Sequence, residues 1–132
     1  MVVRYPEKAI EFSPSRTEKQ AIEIVMEYER KNGRKPEEVS NKKCGYDIKS
    51  GDRFIEVKGQ KAKQPDVIGL YKTTLSKLGD NILHYFIYLV YDIKSNPKLK
   101  ILPPEKIFGN IEMEQQFIIR GKIFKNIPIE QS

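Results

Sequence analysis

Cysteine and histidine are almost missing from this sequence and tryptophan is absent: Cys44 and His84 stand alone among 132 residues. One thiol cannot close an internal disulfide, which fits a reducing cytoplasm. A transition-metal site built on imidazole and thiolate is therefore not available, and a hard divalent ion is the credible metal. Cys44 has no histidine near it in sequence, so a thiol nucleophile is not expected. His84 opens an apolar stretch, the usual setting of a satisfied structural histidine. No apolar run reaches the roughly 18 residues of a membrane-spanning helix. The opening "MVVRYPEKAIEF" mixes charges throughout and lacks the apolar centre of a signal peptide. No Gly-x-x-x-x-Gly-Lys loop, zinc-finger spacing, helix-turn-helix recognition helix, internal repeat or low-complexity tract is present, so neither nucleotide binding of that kind nor sequence-specific DNA reading is expected.

What is there reads as one folded domain. The chain is 39% hydrophobic and 32% charged, long enough for a single core and too short for two comfortable ones. The expected domain is 1–132, with a core over about 13–103 and a C-terminal extension over 104–132. A formal charge of +6 makes a polyanionic partner plausible. Ser13-Pro14-Ser15 offers caps for a helix over "TEKQAIEIVMEYERK", with Ala21, Ile22, Ile24, Val25 and Tyr28 on one face and Gly33 just past its end. Residues 33–45 read as a polar connector. Two short strands follow, Tyr46-Asp47-Ile48 and Arg53 to Lys58, joined by a turn at Ser50-Gly51-Asp52. Residues 59–69 read as a lysine-rich loop and 71–81 as a short helix capped by Thr73 or Thr74 and closed at Gly79. "ILHYFIYLVYDI" (82–93) is apolar on both faces and is expected to be a central strand, with "PKLKIL" (97–102) returning beside it. A short helix is expected after Pro103-Pro104, and a final hairpin over 117–127 around Gly121-Lys122. The order implies an α/β or α+β fold with a mixed sheet flanked by helices.

The stretch "GYDIKSGDRFIEVKG" (45–59) carries the chemistry. Strand interiors are depleted in Asp, Glu and Lys, yet Asp47, Glu56 and Lys58 interrupt these two strands. Alternation puts Phe54, Glu56 and Lys58 on one face and Ile55 and Val57 on the other. If the hairpin brings Asp47 to the face of Glu56, two carboxylates and an ammonium converge. Such a pair of carboxylates can hold Mg²⁺, which takes hard oxygen ligands and keeps several waters. The ion acidifies water and neutralises charge on a phosphate, and the lysine can orient the attacking water or stabilise the pentavalent phosphate. The simpler reading is a cross-strand ion pair on a solvated sheet face. Spacing alone does not decide between them, because Glu29-Arg30-Lys31 repeats the Glu-x-Lys pattern at the polar end of the helix. Glu18 falls toward the apolar face of that helix and could reach the same site, or it could serve a capping box with Ser15. Around the site, Arg53, Lys58, Lys61, Lys63, Lys72 and Lys77 outnumber Asp52 and Asp66, a balance suited either to the phosphate backbone of a nucleic acid or to a solvated loop.

The run "AIEIVMEYERKNGRKPEEVSNKKCGYDIKSGDRFIEVKG", with "HYFIYLVYDIKSNPKLKIL" after it, strongly resembles the domain family named for the C-terminal region of the plant protein NO VEIN. The resemblance covers roughly residues 15 to 103. That family is common at the ends of helicase-like proteins and is placed in the PD-(D/E)XK nuclease superfamily. The resemblance implies a restriction-endonuclease-like core and a Mg²⁺-dependent DNA endonuclease, with Mn²⁺ able to substitute, acting in repair, recombination or defence. It implies Asp47 as the first metal-binding acid, Glu56-Val57-Lys58 as the (D/E)-x-K element with the Val57 main-chain carbonyl as a further ligand, Glu18 as the acid of the first helix, and Gln60 at a place where some members carry an active-site Gln. The Pro of the superfamily's name is absent, since Tyr46 precedes Asp47. DNA, a helicase or other DNA-processing protein, and a second copy of the chain are the implied partners, with the C-terminal hairpin as a candidate dimer interface. The alternative within the same fold is a non-catalytic nucleic-acid-binding or protein-interaction module.

Overall fold

The computed structural model describes residues 15–42, 44–113 and 117–130. Helix α1 (Arg16–Lys31) starts where expected, with Ser15 as its N-cap: the Ser15 Oγ accepts from the Glu18 N–H at 3.2 Å. Ser13 and Pro14, the other expected caps, lie outside the described residues. The helix buries Ala21, Ile22, Val25, Tyr28 and Glu29; the first four follow from helical period, whereas Glu29 belongs by its neighbours in sequence to a polar end.

Five strands form the main sheet: β1 (Pro36–Glu38), β2 (Ile48–Ser50), β3 (Arg53–Gly59), β5 (Tyr85–Tyr91) and β6 (Lys98–Leu102), side by side in the order β1-β2-β3-β5-β6. Strand β4 (Ile68–Leu70) pairs with β8 (Phe117–Ile119), and β8 with β7 (Glu112–Met113), in a second sheet. Helices α2 (Lys72–Leu78) and α3 (Pro104–Phe108) and the 3₁₀ turns Gly79–His84 and Gly121–Asn126 complete the order. The main sheet is mixed: β3 and β5 run parallel and the other neighbours antiparallel. The fold is α+β.

Strand β5 is central, as its apolar run implies, and alternation splits it between two cores. Tyr88 and Val90 join Ile48, Ile55 and Val57 beneath α1, with Ala21, Ile22 and Val25. Tyr85, Ile87 and Leu89 face the other way, into a core with Ile68 and Leu70 of β4, Leu78 of α2, Ile107 of α3, Ile119, Phe124 and Ile127. The segment after residue 103 thus supplies a large share of the second core. Each fully buried aliphatic side chain contributes about 1.5–3 kcal/mol.

Three local expectations need correction. The connector 33–45 contains the edge strand β1, which begins on Pro36; proline is tolerated at the first residue of an edge strand. Helix α2 is capped at Tyr71, not at Thr73 or Thr74. The expected hairpin over 117–127 is not formed: Phe117–Ile119 pairs instead with Glu112–Met113, antiparallel. Gly121 makes no hairpin turn, because a Cβ there would come within 2.5 Å of the Pro65 carbonyl oxygen; glycine lets the chain press against the 60–67 loop, and the 3₁₀ turn beyond it buries Phe124.

Candidate active site

Strand β2 leaves the sheet early, and this creates the site. Asp47, one residue before β2, adds a last rung: its N–H donates to the Ile55 carbonyl at 2.8 Å, and its carbonyl accepts from the Val39 N–H at 2.7 Å. Gly45, at φ +95°, then turns the chain away. Among the described residues no strand lies opposite the edge-facing Val57 N–H, and the Asp47 carboxylate fills the gap, Oδ2 accepting from it at 2.8 Å. A strand residue's N–H and C=O point to the same side, so the Val57 carbonyl faces that same edge.

Glu56 and Lys58 share the opposite face from Ile55 and Val57, as alternation requires. Lys58 Nζ lies 3.1 Å from Glu56 Oε2, with the side chains only 26% and 16% exposed. These exposures place the ion pair partly out of solvent, not on an open sheet face. The apolar neighbours on this face are Phe54, set edge-on to Tyr46 at 4.9 Å between ring centres, and Tyr85 of β5.

Asp47 meets Glu56 carboxyl to carboxyl. Burial, and then the Glu56 charge and a hydrogen bond with its carboxyl, push the Asp47 pKa well above the ordinary carboxylate value, against the lowering pull of the Val57 N–H and Lys58. A buried carboxyl beside a second carboxylate is harder to ionise, which is why Asp47 holds its proton more tightly than a free side chain. For Lys58, burial works against the charged form, but Glu56, Asp47 and Glu18 outweigh it and raise its pKa. It is therefore an ammonium. Glu18, exposed in the first turn of α1, acts on the site through Lys58 and does not join the two carboxylates. The first turn reaches this end of β3 because residue 59 is glycine: a Cβ there would meet the Ala21 Cβ at 3.0 Å and the Thr17 carbonyl oxygen at 3.1 Å.

Among the described residues no group of three or more His, Cys, Asp and Glu side chains is gathered to hold a metal. The donors at this site are two carboxylates and the edge-facing Val57 carbonyl. An all-oxygen set of this kind suits a hard divalent cation that keeps water on its remaining positions.

Gln60 is spent on the loop behind the site. Its Nε2 donates to the carbonyls of Asp66 and Val67 at 3.1 and 3.3 Å, and its Oε1 accepts from the Asp66 N–H at 2.9 Å. With the Asp92 N–H donating to the Ala62 carbonyl at 2.8 Å and Gly121 against Pro65, this pins the loop that presents Lys61 and Lys63, both exposed. Arg53 is not on the Glu56 face. It donates to the Tyr88 hydroxyl at 2.7 Å and lies over the Phe86 ring. Lys72 is exposed beside the Phe117 ring, and the Lys77 side chain lies outside what is described. His84 ends a 3₁₀ turn, half exposed, 3.8 Å from Asp52, and Cys44 is half-buried, its thiol against the Val39 and Tyr46 carbonyls.

The family model described as Protein NO VEIN, C-terminal matches residues 17–102. The chain belongs to this family. No curated protein and no solved structure matches it. The NO VEIN C-terminal match runs from α1 through β6 and so contains Glu18, Asp47, Glu56, Val57, Lys58 and Gln60. The elements after Leu102, which close the second core over Tyr85, lie beyond it.

Sequence reasoning missed two groups. Tyr85 reads in the sequence only as part of an apolar strand; its place beside Glu56 depends on the parallel register of β3 and β5, which no local pattern encodes. Glu29 sits at 0% exposure, bonded through both oxygens to Arg34 at 2.5 and 2.8 Å and accepting from the Tyr88 hydroxyl at 2.7 Å. Arg34, five residues on and across the helix end, was the one available signal.

Proposed function

We propose that this chain is a Mg²⁺-dependent DNA endonuclease of the PD-(D/E)XK type, with Mn²⁺ able to replace Mg²⁺. The observation that carries the reading is the convergence of Asp47, Glu56 and Lys58 at the point where β2 leaves β3. Asp47, Glu56 and the Val57 carbonyl would hold the ion. Bound there, Mg²⁺ would supply Lewis acidity and offset the charge that builds on the phosphate.

The chain's own residues do the rest. Asp47 keeps the edge of β3 in place through Val57 while presenting its second oxygen. Lys58, held as an ammonium, donates hydrogen bonds; it orients the attacking water and stabilises the phosphorane, and it does not act as the base. Glu18 favours that charge. Lys61 and Lys63, on a loop pinned at Gln60, Ala62 and Pro65, meet the phosphate backbone without reading sequence.

The test is a cleavage panel of duplex, flapped, branched and single-stranded DNA with Mg²⁺ or Mn²⁺, comparing the wild type with Lys58→Ala. Metal-dependent nicking lost in the variant supports the proposal. Absence of nicking by the wild type on every substrate would falsify the enzyme claim, and DNA binding without cleavage would assign the chain to a binding module on the same fold.

A further inference from the structure

Tyr85 opens β5 at 0% exposure, and its hydroxyl has no hydrogen-bond partner. Among the described residues only the Ser50 hydroxyl shares that state. A buried O–H left unmade is costly, so its position calls for a use. In the parallel ladder Tyr85 stands opposite Phe54, while Glu56 stands opposite Ile87. Tyr85 and Glu56 thus share a face on adjacent strands, one pleat apart. The ring belongs to the core that also holds Leu102 and Ile107, with the Phe108 ring 6.5 Å away, and after burial the hydroxyl feels Glu56 and then Asp47. Burial and those two charges keep it a neutral donor.

Glu56 is now tied to Lys58 at 3.1 Å. In the reaction Lys58 is needed at the phosphate, and its departure strips Glu56 of that partner. We propose that Tyr85 is a positioning residue: its O–H donates to the Glu56 carboxylate when Lys58 turns away, and fixes that carboxylate for the metal. Donors of this kind behind a ligand commonly govern about 10–100-fold in metal affinity. The inference rests on the metal site of the proposed function.

The experiment is calorimetric titration of the full chain with Mn²⁺, for the wild type, Tyr85→Phe and Asp47→Ala, with the tyrosine ultraviolet difference spectrum recorded on metal addition. Tyr85→Phe should bind about tenfold more weakly and lose part of the difference spectrum, while its metal-free melting temperature equals or exceeds that of the wild type because the orphan hydroxyl is gone. Unchanged affinity and spectrum in Tyr85→Phe, with binding lost in Asp47→Ala, would overturn the role of Tyr85 and leave the metal site standing. A lower metal-free melting temperature would also overturn it, by showing the hydroxyl already bonded. A wild type that binds no Mn²⁺ brings down both this assignment and the nuclease reading.

Discussion

Glu29 and Asp47 are both carboxylates withdrawn from water, and the protein treats them in opposite ways. Burial alone would raise the pKa of Glu29, but the Arg34 and Tyr88 hydrogen bonds outweigh it and hold it below the ordinary value. The Arg34 guanidinium is raised in turn by the same pair, and Tyr88 is itself bonded by Arg53. Each donor there meets an acceptor. Asp47 instead faces Glu56, so two acids compete for one lysine, and its pKa goes up. Glu29 also opens a Glu-x-Lys triplet, so the contrast isolates what spacing cannot: one carboxylate is saturated by donors, whereas the other faces a second acid and is left short of positive charge.

Four variants sharpen or break this contrast. The largest effect should come from Lys58→Ala, which removes the proposed charge stabiliser and should lower the cleavage rate per folded molecule by at least about 10²–10³-fold with the fold retained. A variant that cleaves normally, or unfolds, would place Lys58 with the structural pairs. Next, Arg34→Ala strands a buried carboxylate and should cost about 3–5 kcal/mol in denaturant unfolding, with cleavage per folded molecule intact; a cost of less than about 1 kcal/mol would mean that Glu29 finds water or another donor.

The two acids should also give stability slopes of opposite sign. Glu29 has a depressed pKa, so its stabilisation is present above the ordinary value of 4.5 and is lost as pH falls through the lower folded value. Asp47 has a raised pKa, so the folded state holds a proton that the unfolded chain releases, and stability falls as pH rises from 3.8 toward the folded value. Asp47→Asn should therefore melt higher than the wild type at pH 7, with the gap closing toward pH 4, while metal-dependent cleavage is lost. A melting temperature below that of the wild type at pH 7 would mean that Asp47 is ionised and stabilising. The smallest effect is at the rim: Lys61→Glu with Lys63→Glu should weaken DNA binding and lower the salt slope by about 1 for each phosphate no longer neutralised, leaving stability unchanged. An unaltered slope would mark the loop as merely solvated.

Much of the architecture was legible because local rules fix it. Helical period and Ser15 define α1, the two-sided apolar run of 85–91 requires a central strand, and alternation separates Glu56 and Lys58 from Ile55 and Val57. Edge strand β1 escaped because Pro36-Glu37-Glu38 carries no apolar signal and its strand form comes from pairing to β2. The shifted C-terminal hairpin escaped because Gly121 answers to the Pro65 carbonyl, far away in the chain, and not to a turn of its own.

The candidate site divides in the same way. Which residue types occupy 47, 56 and 58, and that the last two share a face, follow from the sequence by itself, since strand alternation is a property of the backbone. That Asp47 meets Glu56, that the pair is largely buried, and that Tyr85 shares their face with its hydroxyl unspent were decided only by tertiary structure. They depend on where β2 departs from β3, on the parallel register with β5 and on the layer that covers this face. The last two join segments distant in the chain, and burial, which shifts the Asp47 pKa, exists only once those segments have closed over it.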